Sequence, residues 1–153
     1  MAEMQKWMDM PPVWLAGAIA VVWLLDRVLP FGSFGVLAVF GPVLIGAGLV
    51  LMGEAVGQMV RRRTTVIPKS QPAALVTGGV FRICRNPIYL GDAMVLAGLI
   101  LHWGVPLALP VLPLFIWVIT RRFILEEEAL LRAGFGAEFA TWAAKTGRWL
   151  PNG

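Results

Sequence analysis

From Phe34 to Gly53 the chain carries no charged side chain, and the same holds from Trp103 to Thr120. A helix rises 1.5 Å per residue, so about 20 such residues cross the hydrocarbon of a bilayer. Uncharged runs of this length leave few folds open. A soluble domain of 153 residues needs a charged exterior around one core, yet here 58% of residues are apolar and only 14% charged. The runs are continuous rather than alternating, which favours helices over a membrane barrel. The expected fold class is all-α: a polytopic helical membrane protein of about four transmembrane helices, built as a single domain over 1–153.

The spans are expected at 13–29, 34–58, 87–101 and 103–120, with a cytoplasmic loop at 59–86 and a cytoplasmic tail at 121–153. The stretch from His102 to Pro106 leaves room only for a tight turn, so the last two spans should form an antiparallel hairpin. In this arrangement twelve of the thirteen Lys and Arg residues, Lys6 among them, fall on one side and Arg27 alone on the other. By the positive-inside bias, both termini and the central loop face the cytoplasm, on this reading of a bacterial inner membrane. The first ten residues lack a basic cluster ahead of a cleavable apolar core, so the first span is expected to stay as an anchor. The basic balance then reflects topology and anionic headgroups. Membrane lipids are the expected partners and nucleic acid is not, because no basic surface interleaved with aromatics is present.

A single cysteine, Cys84, and a single histidine, His102, cannot build a thiolate or imidazole metal cage, and no metal site is expected. His102 falls in the far turn, out of reach of the charged face, which argues against a hydrolytic triad.

Polar chemistry gathers in two places, GGVFRICRNPIYLG at Gly78 to Gly91 and the triplet Glu126, Glu127 and Glu128. Ahead of the first, Pro68 and Pro72 hold an extended connection, and Leu75-Val76 reads as a β-like dipeptide before the turn at Gly78-Gly79. Asn86 is placed to cap the third span, with Pro87 at its first helical position. Tyr89 and Asp92 are three apart and share a helix face. A carboxylate inside an apolar span is costly, so Asp92 should face the protein interior or a hydrated cavity, either toward a substrate or paired with a loop arginine.

Helical spacing separates the three glutamates. Glu126 stands four residues from Arg122, and Glu128 four from Arg132, the usual fate of surface charges. Glu127 instead has Phe123, Ile124, Leu130 and Leu131 around it, and a carboxylate on an apolar face needs a ligand or a cation such as Arg82 or Arg85. In the second span, Glu54 and Gln58 are four apart, either lining the same cavity or forming a rung with Arg61. The tail from Phe135 to Pro151, with Phe135, Phe139 and Trp142 spaced at four and three, reads as an amphipathic segment that closes the site or rests on headgroups.

Thr64-Thr65, Leu75 to Arg82, Arg85 to Gly91, Glu127-Glu128 with Leu131, Phe135-Gly136, Glu138-Phe139 and Arg148-Trp149-Leu150-Pro151 together resemble the isoprenylcysteine carboxyl methyltransferase and phospholipid methyltransferase superfamily. The resemblance covers roughly the C-terminal ninety residues. It implies a small helical membrane enzyme that uses S-adenosylmethionine without a Rossmann domain, and this chain has no G-x-G-x-x-G. By that resemblance the cofactor contacts Leu75, Val76, Phe81, Asn86, Pro87, Ile88, Tyr89, Glu127 and Glu128. Candidate catalytic residues are Asp92, Glu54 and Arg85, the first two as a general base for an ammonium acceptor. Asn86 stands where the prenylcysteine branch has His, and Phe123, with Arg122 beside it, where that branch has a substrate arginine. The implied acceptor is thus a lipophilic or membrane-associated small molecule bearing a carboxylate, amine or thiol. The competing classes are a non-enzymatic transporter or assembly factor, which should show an inverted repeat that is not apparent here, and a membrane reductase.

Overall fold

The computed structural model describes residues 10–29 and 32–151. Among them every regular element is helical. Helix α1 runs Pro11–Val28 and opens on proline, whose missing amide costs nothing at a first helical position. A 3-10 turn, Gly35–Val39, feeds α2 at Phe40–Arg61. Helix α3, Pro87–Trp103, also opens on proline and stops at Gly104, whose φ of 70° suits a glycine in the left-handed region. Helix α4, Val111–Ile119, passes through a π turn at Thr120–Ile124 into α5, Leu125–Lys145.

Three helical stretches, Pro11–Val28, Gly35–Arg61 and Pro106–Lys145, are long and apolar enough to cross a membrane, and α3 is a shorter apolar helix. The turn between α3 and α4 lies where expected, with α3 continuing to Trp103. Helix does not stop at 120: no breaker separates the fourth expected span from the tail, so helical structure continues through the π turn to Lys145. It bends only at Gly136, where φ 46° and ψ −115° leave the helical region. The expected β-like Leu75-Val76 pairs with nothing as a strand. Val76 is instead buried with Ala55, Phe81, Phe139 and Trp142.

Helix α3 is the centre of the bundle, with apolar residues all round apart from Tyr89, Asp92 and His102, as suits a buried helix. Its seam with α2 depends on glycine. A Cβ at Gly41 would lie 2.6 Å from the Gly98 carbonyl oxygen, and one at Gly48 would lie 2.7 Å from that of Gly91. The reciprocal contacts at Gly98 and Gly91 are equally short, so two glycine pairs, seven residues apart on each strand of the seam, let antiparallel backbones touch. In lipid, where apolar helices gain little by leaving solvent, such close approach is how helices associate. The outward faces are apolar too, with Trp23 and Leu24 on α1, Val43 and Val50 on α2, and Leu114 and Trp117 on α4 all exposed.

The turns near Gly32 and Gly104 meet at one end of the bundle, Gly32 against Pro106 and Gly104 against Ser33. Residues 62–86, the N-terminus of α3, the start of α1 and α5 gather at the other. Lys6, counted with that charged end, lies outside the described residues.

Candidate functional site

Residues 64–72 leave α2 and fold back over the start of α3. The Thr64 hydroxyl accepts from the amides of Ala73 and Ala74 at 3.1 and 3.3 Å, closing this segment on itself. Lys69 takes a left-handed φ of 59°, an uncommon state for a side chain with a Cβ. Behind this loop lies a cavity of about 490 Å³, lined at its base by Arg85, Asn86, Pro87, Ile88, Tyr89 and Asp92. Phe81, Glu127, Leu131, Met52, Val56, Met59 and Met10 to Pro12 contribute to the rest of the lining. This volume falls in the range of small-molecule sites.

The Tyr89 hydroxyl donates to Glu127 Oε1 at 2.7 Å, and the backbone of Lys69 hydrogen-bonds the same carboxylate. Asp92 is 7% exposed and opens onto the cavity, with no cationic partner among the described residues. Arg85 approaches Glu128 at 3.1 Å and donates to the Ala143 carbonyl, while its buried Nε has no partner among the described residues. Burial pushes the Arg85 guanidinium below its ordinary value, Glu128 opposes that, and the group remains a cation. Arg148, by contrast, is raised, chiefly by its hydrogen bonds to Glu128.

Of the candidate residues, Phe81, Arg85, Asn86, Pro87, Ile88, Tyr89, Asp92 and Glu127 converge on this cavity. Leu75, Val76, Glu128 and Glu54 do not line it. Leu75 and Val76 pack behind Phe81. Glu54 is exposed on α2. Glu128, which helical spacing pairs with Arg132, is 5% exposed and holds Arg148 at 2.7 and 2.9 Å, whereas Arg132 lies over the Phe139 ring. Glu126 meets Lys69 at 3.5 Å, and the Arg122 guanidinium lies over Trp14. Spacing along one helix could not show these partners, because they come from elsewhere in the chain.

Asn86 makes no capping bond to α3. Its side-chain amide donates to the Arg148 carbonyl at 3.0 Å, the Arg85 amide donates to that of Gly147 at 2.8 Å, and the Trp142 indole donates to that of Phe81. The Trp149 indole donates to Thr120 within the π turn. The C-terminal segment therefore straps the motif from outside. Gln58 likewise forms no rung with Arg61. Oriented to match donor with acceptor, its amide donates to the Gly78 carbonyl at 2.9 Å and accepts from the Val80 amide at 3.3 Å. A Cβ at Gly79 would collide with that amide, which is why the turn carries glycine there at φ 53°. Cys84 is fully buried, and burial pushes its thiol up, leaving an inert neutral group.

Sequence reasoning passed over the wall of 65–70 and the methionines Met52 and Met59. The only signal was the positions of Pro68 and Pro72, which mark an extended loop without showing what it covers.

A family model described as phospholipid methyltransferase matches residues 36–138. Two rice proteins, from Oryza sativa subsp. indica and subsp. japonica, each named probable protein-S-isoprenylcysteine O-methyltransferase, are similar: both are 28% identical over 116 residues. The match covers 76% of this chain and 58% of each relative's length.

Proposed function

The chain belongs to the phospholipid methyltransferase family, and from that premise we propose that it is an S-adenosylmethionine-dependent methyltransferase acting at the cytoplasmic membrane face on a lipophilic or membrane-associated small acceptor. The observation that carries this reading is the cavity in which Arg85, Tyr89, Asp92 and Glu127 converge beside a wall of Met52, Val56 and Met59. An amino acid head needs both a cation and an anion. Arg85, which lines the cavity, suits its carboxylate, and Glu127, steadied by Tyr89, suits its ammonium or a ribose hydroxyl. Phe81 and Tyr89 offer π faces to a positive centre.

When bound, S-adenosylmethionine supplies a methyl carbon made electrophilic by its sulfonium. The chain's part is alignment and exclusion of water, which in-line displacement rewards. Arg85 and Glu127 would hold the charged groups of one reactant. The apolar wall accommodates the lipophilic part of the other, whose reacting group is a carboxylate, amine or thiol. A carboxylate or thiolate reacts without a base. An ammonium acceptor must first lose a proton, and Asp92, facing the cavity, is positioned to take it.

Glu127→Ala should abolish calorimetric binding of S-adenosylmethionine to the detergent-purified protein while helicity and membrane insertion persist. Unchanged affinity in that variant would overturn the assignment of Glu127.

A further inference from the structure

A second groove, sharing no lining residue with the cavity, lies on the other side of the Phe81 turn. It encloses about 590 Å³ between Thr77 and Arg82 of the central loop and Glu138, Thr141, Trp142, Lys145 and Thr146 of the tail. Glu138, Thr141, Trp142 and Lys145 recur at three, four and seven positions, so one face of α5 forms a whole side. Arg82 and Lys145 are exposed there, and neither has an ion-pair partner among the described residues. The Thr141 hydroxyl already donates to the Ala137 carbonyl, which leaves those of Thr77 and Thr146 as donors. Glu138 is the one carboxylate, two helical turns and about 10 Å along the axis from Lys145. Two cations and two hydroxyls lining one groove make an anion site of phosphate type.

Its depth identifies the source of the phosphate. Gln58, in the last turn of α2, holds Gly78 and Val80, so Thr77–Arg82 sits level with the end of that helix. There the apolar run gives way to Arg61, Arg62 and Arg63, the pattern of a bilayer surface. Val60 and Ile83 at this level are large apolar side chains left exposed, as acyl chains beside a headgroup require.

We propose that this groove binds the phosphodiester headgroup of a membrane glycerophospholipid, with Arg82 and Lys145 on the phosphate and Thr77 and Thr146 as supporting donors. The site is independent of the methyl-transfer cavity. The Trp142 indole, which donates to the Phe81 carbonyl, forms the partition between them.

Native mass spectrometry of the full chain in detergent provides the test, with three probes: phosphatidylglycerol, a glucosyl diacylglycerol of the same acyl chains, and inorganic phosphate. Phosphatidylglycerol should be retained, and its affinity should fall roughly tenfold when Arg82→Ala and Lys145→Ala are combined, the loss of charge-assisted bonds. Arg82→Lys with Lys145→Arg should largely restore it, and Arg121→Ala should leave it unchanged. Equal retention of the phosphate-free lipid, or an unaltered affinity in the double alanine variant, would overturn the proposal. Displacement of phosphatidylglycerol by millimolar inorganic phosphate would overturn the lipid as the source.

Discussion

Along the α2–α3 seam, backbones touch at Gly41 with Gly98 and Gly48 with Gly91, and no ion pair takes part among the described residues. At the charged end, the central loop and the tail are held by Arg85, Glu128 and Arg148, by Asn86 on the Arg148 carbonyl and by Trp142 on that of Phe81. The seam relies on shape because, in lipid, an apolar surface gains little by being covered and only close packing distinguishes one neighbour from another. The strap relies on polar pairing because a segment rich in donors and acceptors must satisfy them as it is buried. The cavity lies where the two meet: α3 contributes Tyr89 and Asp92 from the seam side, and the strap steadies Arg85 and Asn86.

If the two regions are held independently, changes in each should separate. Glu128→Ala should have the largest effect, leaving Arg85 buried without its carboxylate, at about 3 kcal/mol since Arg148 is partly solvated. Limited proteolysis should then cut near Thr146 to Arg148 while far-ultraviolet circular dichroism keeps its helical signal. Loss of that signal at the same temperature as the cleavage would show that seam and strap fold as one. Gly98→Ala places a Cβ 2.6 Å from the Gly41 carbonyl oxygen and should cost about 2 kcal/mol, seen as a lower thermal midpoint with the strap still resistant to protease. Cleavage appearing in this variant would again join the two regions. Tyr89→Phe tests the junction. It removes the bond to Glu127 and should weaken S-adenosylmethionine binding by about tenfold with little change in thermal midpoint, since a charge-assisted bond is worth about 1.5 kcal/mol or more.

Much of the bundle was legible along the chain. The uncharged runs, Pro87 and the turn around Gly104 located the helices, with the starts of α1 and α3 within two residues and those of α2 and α4 later than expected, at Phe40 and Val111. The continuation of the fourth helix past Thr120 was not, because a π turn has no marker comparable to glycine or proline. The site was legible in part for a similar reason. Arg85, Asn86, Tyr89 and Asp92 lie close together in sequence, and one helix start carries most of them into the same cavity. Glu127 was singled out by its apolar neighbours, yet the same spacing rule misplaced Glu128, whose partners Arg85 and Arg148 are 43 and 20 residues away. Asn86 does stand at the N-cap position of α3, but its side chain makes no capping bond and instead reaches the Arg148 carbonyl, 62 residues away.

By itself the sequence determined the solvent: uncharged runs of this length require hydrocarbon around them, and basic residues gathered at one side assign the bundle a charged end. It also determined where polar chemistry is concentrated, since carboxylates and arginines are scarce enough in this chain for each to need a reason. Tertiary structure alone decided which charges face a ligand and which face each other. That distinction separates Glu127 from Glu128, adjacent in the chain, and it depends on the strap of 142–149 lying against the motif rather than on any local spacing. Local spacing reports which side chains share a helix face; burial of a charge is compensated by whatever partner the fold brings to it, from any distance along the chain.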